Sequence, residues 1–153
     1  MISRLLLTIA VMTLISCNLN KQELRPLQLL LSEIDDPGKI SKFDYFMLIP
    51  LGGCQYCVLK SIEFSKQHIG SNKIAFILTS MVGQKEITLN YSPDQLTAEN
   101  MIVDGEGKAY ASALADENVK LLIPGKKKLV VINMTPATYE DELVKLKENL
   151  ISI

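Results

Sequence analysis

The chain has 153 residues, 48% of them hydrophobic, and this length suits a single domain with a sizeable core. Its 16 Lys and Arg against 17 Asp and Glu give a formal net charge of −1 at pH 7. This near-neutral balance provides neither the basic field that nucleic-acid binding needs nor an acidic tail, so we expect no nucleic-acid partner.

Residues 1–16 are typical of an export signal. Arg4 supplies a positive charge, and the apolar stretch that follows, Leu5–Ile15, is too short to span a bilayer. The stretch leads into Leu-Ile-Ser-Cys, ending at Cys17, which resembles the lipobox of bacterial lipoproteins. The resemblance implies that Cys17 is lipidated and holds the protein on a membrane of the bacterial cell envelope, outside the cytoplasm. The alternative is an ordinary signal peptide, or a starting helix, in which Cys17 has no such role.

Residues 17–41 are predicted to form a tether or a short helix ahead of the main domain at 42–153. Apolar residues recur there at steps of three and four, which predicts one apolar helical face made of Leu24, Leu27, Leu31 and Ile34. The Asp-Pro-Gly sequence at 36–38 then ends the helix. A helix that binds a partner or the membrane surface is the alternative, but the stretch lacks the basic polar face typical of membrane-surface helices.

A strand-helix-strand unit comes next, with two cysteines at the start of its helix. The apolar run 43–49 predicts a strand buried on both faces, 55–68 has helical spacing, and 74–78 predicts a second strand. Cys54 and Cys57 stand where the helix begins, and a Cys-x-x-Cys pair at this place forms a redox dithiol. The free N–H groups and the dipole of a helix N-terminus favour a thiolate. The apolar side of the helix is predicted to contain Val58, Leu59 and Ile62.

Further short elements are predicted in the rest of the chain. They are, in order, a strand at 87–91, a turn at 92–94, a strand at 100–103 and a helix at 108–115. The runs 119–123 and 129–132 flank Pro124-Gly125, which predicts an antiparallel hairpin with its turn centred on that pair. Thr135-Pro136 opens a last helix as N-cap and first residue. Its predicted core face consists of Tyr139, Leu143, Leu146 and Leu150.

The order strand, Cys-x-x-Cys, helix, strand, connecting region, hairpin, helix resembles the thioredoxin-like fold, an α/β fold with a mixed sheet flanked by helices. Together with the lipobox, the chain is similar to the extracytoplasmic thioredoxin-like lipoproteins of bacteria. The resemblance implies a thiol-disulfide oxidoreductase in which Cys54 is the exposed nucleophile and Cys57 the buried resolving cysteine. Its partners would be protein thiols or disulfides and an unidentified redox partner, with a membrane contact through the lipid on Cys17.

Several positions depart from the thioredoxin pattern. Gly53 stands where thioredoxins have Trp, Gln55-Tyr56 replaces Gly-Pro, and Leu48 lies near the depth of their buried acid. No proline precedes the strand predicted at 119–123, where thioredoxins carry a cis-Pro. The missing Trp and the missing cis-Pro favour a second interpretation: a non-catalytic thioredoxin-like lipoprotein that acts as a binding or assembly module with a structural disulfide.

Other chemistries fit the cysteine pair less well. A structural zinc needs four ligands, and the one histidine, His68, lies about 16 Å along the helix at 1.5 Å per residue. Covalent haem attachment needs His directly after the second cysteine, where Val58 stands. Peroxiredoxin chemistry expects Thr or Ser where Leu51 stands. The sequence therefore predicts neither a metal nor a cofactor.

The lipobox leads to a prediction about location. In a bacterial host, Cys17→Ala should lose incorporation of labelled fatty acid and leave the membrane fraction, because the acyl chains have no attachment point. The control is Cys54→Ala, which removes a cysteine outside the lipobox and should stay labelled and membrane-bound. Unchanged labelling and membrane retention of Cys17→Ala would contradict lipidation at this residue.

Overall fold

A computed structural model describes residues 20–151 as an α/β domain built on a mixed sheet, which confirms the predicted class. The predicted signal at 1–16 and Cys17 lie outside the described residues. In the described part, the strands are β1 (Asn20–Glu23), β2 (Tyr45–Pro50), β3 (Ile74–Thr79), β4 (Met101–Asp104), β5 (Val119–Pro124) and β6 (Lys128–Met134). The helices are α1 (Arg25–Ile34), α2 (Gln55–Gln67), α3 (Gln84–Asn90), α4 (Pro93–Leu96), α5 (Lys108–Ala111) and α6 (Tyr139–Ile151), with a 3₁₀ helix at Pro37–Ser41.

The six described strands have the order β1-β6-β5-β2-β3-β4. Strands β2, β3 and β4 are parallel neighbours, whereas the pairs β2–β5, β5–β6 and β6–β1 are antiparallel. The sheet therefore has a parallel half and an antiparallel half that meet at β2 and β5. The carboxyl end of β2 and the start of β5 lie at the same edge, because the two strands run in opposite directions.

Helices cover both faces of the sheet. Alternate residues of β2 point to opposite sides, so Met47 joins one buried cluster and Leu48 the other. The first cluster contains residues of α2 and α6, namely Val58, Ile62, Phe64, Tyr139, Leu143 and Leu146. The second contains residues of α1 and α5, namely Leu27, Leu30, Leu31 and Ala109. Burial on both faces explains why β2 and β3 appear in the sequence as continuous apolar runs.

The predicted strand-helix-strand unit is confirmed. Strands β2 and β3 pair in parallel along their full length, from Tyr45 opposite Ile74 to Pro50 opposite Thr79. After β2 the chain turns sharply, with the Gly53 N–H donating to the carbonyl of Pro50 at 2.9 Å. This turn delivers the chain to the first residue of α2 at the carboxyl edge of the parallel strands.

The prediction of a strand at 87–91 is wrong, because residues 87–90 belong to α3 and Tyr91 is its C-cap. Ile87 and Tyr91 are both buried, and a separation of four residues fits one helical face as well as one strand face. The Tyr91 hydroxyl lies 2.8 Å from Ser65 Oγ on α2. Gly83, with a φ of +107°, starts the helix in a conformation that favours glycine.

Two predicted boundaries in the connecting region also change. The predicted turn at 92–94 is instead the start of helix α4, where the N-cap Ser92 and Gln95 exchange the two hydrogen bonds of a capping box. Helix α5 ends at Ala111 instead of continuing to 115, and Ala113 adopts a left-handed φ of 59° that a continuing helix does not allow.

The predicted hairpin is confirmed, but its turn is centred one pair later. Pro124 still pairs with Leu129, and the Gly125 N–H donates to the Lys128 carbonyl at 2.8 Å. The turn therefore centres on Lys126 and Lys127, not on Pro124-Gly125. Helix α6 begins at Tyr139, later than the predicted start at Thr135-Pro136. A turn precedes it, in which the Tyr139 N–H donates to the Thr135 carbonyl at 2.8 Å.

The described part of the segment 17–41 packs against the sheet. Strand β1 pairs with the edge of β6, and α1 buries Leu27 and Leu31 as its apolar spacing predicts. Leu24 and Ile34 pack at the margin of the same cluster. No helix in the described range 20–151 is long and apolar enough to cross a membrane.

This packing predicts that α1 stabilises the domain. Leu31 is 0% exposed and Leu29, on the same helix, is 50% exposed. Leu31→Ala should lower the free energy of unfolding by about 2–5 kcal/mol, because it leaves a cavity under the sheet. Leu29→Ala should lower it by less than about 1 kcal/mol. Urea denaturation monitored by circular dichroism measures both, and an equally small effect of the two variants would mean that α1 is a loose tether.

Candidate active site

The two cysteines of the predicted dithiol lie together at the start of α2. Cys54 is the N-cap residue and is half-buried, whereas Cys57 lies in the first turn and is fully buried. Both are free thiols. Cys17, the third cysteine of the sequence, lies outside the described residues.

The two thiols differ in acidity, for different physical reasons. The backbone N–H of Cys57, and next its thiol, act as hydrogen-bond donors to a Cys54 thiolate and lower the pKa of Cys54. Desolvation of the Cys54 thiol acts against this, and the nearby negative charge of the Glu117 carboxylate does so to a smaller extent. Burial raises the pKa of Cys57 to about 11, and its bond to Cys54 retains the proton further. Cys54 is therefore the thiol that ionises first.

The main chain around Cys54 is held by the loop that precedes β5. The Cys54 N–H donates to the carbonyl of Glu117 at 2.8 Å. The same carbonyl oxygen would lie 2.3 Å from a Cβ atom placed on Gly53, which is closer than any side chain permits. Position 53 thus requires glycine.

A chain of aromatic and polar contacts joins the start of α2 to α6. The half-exposed Tyr56 donates its hydroxyl to Glu140 Oε1 at 2.6 Å, and this bond raises the pKa of Tyr56. Its ring packs edge-on against Tyr139, with centroids 6.3 Å apart. The Tyr139 hydroxyl lies 2.7 Å from the buried Ser61 Oγ. These contacts fix Tyr56, which lies between the cysteines, relative to α6.

The sequence did not predict these contacts between α2 and α6, and the predicted apolar side of α2 was partly wrong. Leu59, predicted as part of the apolar face, is 56% exposed, whereas Ser61 and Ser65 are buried. Both serines satisfy their hydroxyl groups with a tyrosine, Tyr139 and Tyr91 respectively. The available signal was the spacing of the serines, which lie four residues apart on the same side as Val58 and Ile62.

His68 lies at the other end of α2, away from the cysteines. Its Nδ1–H donates to the carbonyl of Phe64 at 2.9 Å, so the ring is bonded to the last turn of its own helix. Within the described part of the chain, no group of three or more His, Cys, Asp or Glu side chains is placed to hold a metal ion.

No protein-family model, curated protein or solved structure matches the chain. The chemistry of the site therefore has to be inferred from its own residues. What they provide is an accessible thiol that ionises readily and, one helical turn away, a buried thiol that does not.

The steric requirement at Gly53 can be tested with its neighbour as a control. Gly53→Ala should displace the Glu117 carbonyl from Cys54 and lower the free energy of unfolding by about 1–3 kcal/mol. Gly52→Ala should have little effect, because a Cβ there meets no atom within 4 Å. Urea denaturation compares the two variants, and equal stability of both would show that the loop does not approach residue 53 closely.

Proposed function

We propose that this chain is a membrane-anchored, extracytoplasmic thiol-disulfide oxidoreductase with a thioredoxin-like fold, and that its dithiol is Cys54-Gln-Tyr-Cys57. The observation that carries the proposal is the difference between the two thiols. An accessible cysteine with a lowered pKa at a helix N-terminus is placed to attack, and a buried cysteine three residues later is placed to resolve.

The arrangement of elements supports the fold part of the proposal. From β2 to α6 the chain has the order parallel strand, dithiol helix, parallel strand, connecting region, antiparallel hairpin and final helix. The dithiol helix α2 and the final helix α6 share one face of the sheet. The connecting region contributes β4 and three short helices, and β1 extends the opposite edge.

In the reductive direction, the Cys54 thiolate attacks one sulfur of a substrate disulfide. A Cys54–substrate disulfide forms, the substrate S–S bond breaks, and the departing thiolate takes a proton from water. Cys57 then loses its proton to solvent and attacks the Cys54 sulfur. The Cys54–Cys57 disulfide forms as the mixed disulfide breaks, so the substrate gains two electrons and the dithiol loses two. The reverse sequence oxidises a substrate dithiol, and a redox partner of dithiol or disulfide type restores the starting state.

The burial of Cys57 suits this order of steps. With its pKa raised to about 11, Cys57 stays protonated near neutral pH while Cys54 makes the first attack. Below the lowered pKa of Cys54 the nucleophile itself becomes protonated. Reactivity is therefore expected to fall as the pH drops through that pKa, and to be retained above it.

The anchoring part of the proposal rests on the lipobox ending at Cys17. Three residues along the chain, β1 begins at Asn20. Three residues span at most about 10 Å when fully extended. A lipid on Cys17 would therefore keep the sheet close to the membrane surface.

A second candidate function is a binding or assembly module that holds a structural disulfide. One contact favours it: the Cys54 N–H already bonds to the Glu117 carbonyl. One of the two lone pairs of this main-chain acceptor beside the dithiol is consequently already used, which leaves less of it to bind a substrate chain.

Single-cysteine variants test the catalytic proposal. Cys57→Ser, mixed with insulin, should accumulate a disulfide between Cys54 and an insulin chain, because the resolving thiol is missing. The control, Cys54→Ser, should form no adduct, because Cys57 is buried and keeps its proton. Mass spectrometry of acid-quenched samples detects the adduct.

Failure of Cys57→Ser to form an adduct would overturn the catalytic proposal. The reduction potential of the wild-type pair then decides for the second candidate. A value below about −300 mV marks a structural disulfide, and values between about −270 and −120 mV belong to exchange-competent dithiols.

A further inference from the structure

A buried lysine lies beneath the loop that contacts the dithiol. Lys120, on β5, is only 7% exposed, and of the described residues Asp104 is the other buried one with a charge. Its neighbours Val119 and Leu121 join the cluster under α2, so alternation along the strand directs Lys120 to the opposite face of the sheet. A buried ammonium group is destabilising unless it is paired.

The partner of Lys120 is Asp116, and the same carboxylate also holds the loop. Asp116 Oδ2 lies 2.9 Å from Lys120 Nζ, and Oδ1 accepts the N–H of Asn118 at 2.7 Å. Burial alone would raise the pKa of Asp116, but the bonds from Lys120 and Asn118 outweigh this and lower it. The Asp116 carboxylate thus bonds to Asn118 within the loop and to Lys120 on β5, the strand that follows.

The residue enclosed by these bonds is the one that contacts the dithiol. Glu117 lies between Asp116 and Asn118, and its carbonyl accepts the Cys54 N–H at 2.8 Å. The main-chain position of Cys54 sets where its sulfur lies relative to the N–H and thiol of Cys57. A displacement of Glu117 therefore reaches the Cys54 sulfur through a single hydrogen bond.

We propose that Asp116 and Lys120 are a positioning pair for the dithiol. The pair fixes the Glu117 carbonyl against the Cys54 amide and so keeps the Cys54 sulfur beside its donors on Cys57. The effect of the pair on disulfide exchange rests on the proposed function. Its effect on the acidity of Cys54 does not.

Asp116→Asn is the first test. The variant keeps the size of the side chain and an oxygen for the Asn118 N–H, but it leaves Lys120 without a counter-charge. The midpoint of the pH profile for Cys54 alkylation by iodoacetamide should rise by about half to one pH unit, so that the rate below the midpoint falls by about threefold to tenfold. The rate is followed by mass spectrometry from pH 5 to 10, under conditions where circular dichroism shows each variant folded.

Two further variants make the test specific. Lys120→Met removes the buried charge while filling its space, and it should also slow the alkylation of Cys54. This variant tests the proposal even if Asp116→Asn proves too unstable to purify. Asp35→Asn is the matched control, because Asp35 pairs with Lys39 over the same spacing of four residues, at 2.6 Å, and Lys39 is also largely buried. Its alkylation profile should match the wild type.

The outcomes separate this inference from the proposed function. If Asp116→Asn and Lys120→Met lower thermal stability but leave the pH profile of Cys54 unchanged, the pair is purely structural and the inference is overturned. If both variants shift the profile while Cys57→Ser traps no substrate, the positioning role stands and the oxidoreductase proposal falls.

Discussion

The hydrogen bond from the Cys54 N–H to the Glu117 carbonyl joins the two halves of the molecule at the site. Cys54 follows β2 in the parallel half of the sheet, and Glu117 precedes β5 in the antiparallel half. Its 2.8 Å length requires the two loops to approach so closely that residue 53 has no room for a side chain. The glycine, the position of the first thiol and the course of the loop all depend on this contact.

The acidity of the thiols follows from the layers around them. Helix α2 starts at the carboxyl edge of β2 and immediately turns onto a covered face of the sheet, so Cys54 stays at the edge and Cys57 is buried one turn later. Desolvation then raises the pKa of Cys57, and the hydrogen-bond donors of Cys57 lower that of Cys54. A single change of direction in the chain thus produces two thiols of opposite character.

The sequence predicts best where one local pattern decides the structure. The apolar runs of β2 and β3 and the leucines of α1 have one good solution each, since helices cover both faces of the sheet. Residues 87–91 allow two structures, because the spacing of Ile87 and Tyr91 fits a helix as well as a strand. Only the packing of this segment on α2 decides between them. Strand β1 had no apolar signal of its own and forms because β6 offers it a free edge. The position of Cys54 and Cys57 at the start of a helix could be predicted from the sequence, but the main-chain contacts that hold Cys54 could not.

The contacts that hold Cys54 could not be predicted from the sequence because they are made largely by main-chain atoms. The carbonyl of Glu117 positions Cys54, while the carboxylate of the same residue acts on Cys54 in the opposite sense, as a nearby negative charge. The carboxylate is exposed and therefore screened by water and salt, whereas the Cys57 donors act at close range, so the net pKa is lowered. A main-chain contact leaves its trace in the sequence only where it forbids a side chain, here at Gly53. Gly53 is thus the visible sign in the sequence of how this chain positions its first thiol.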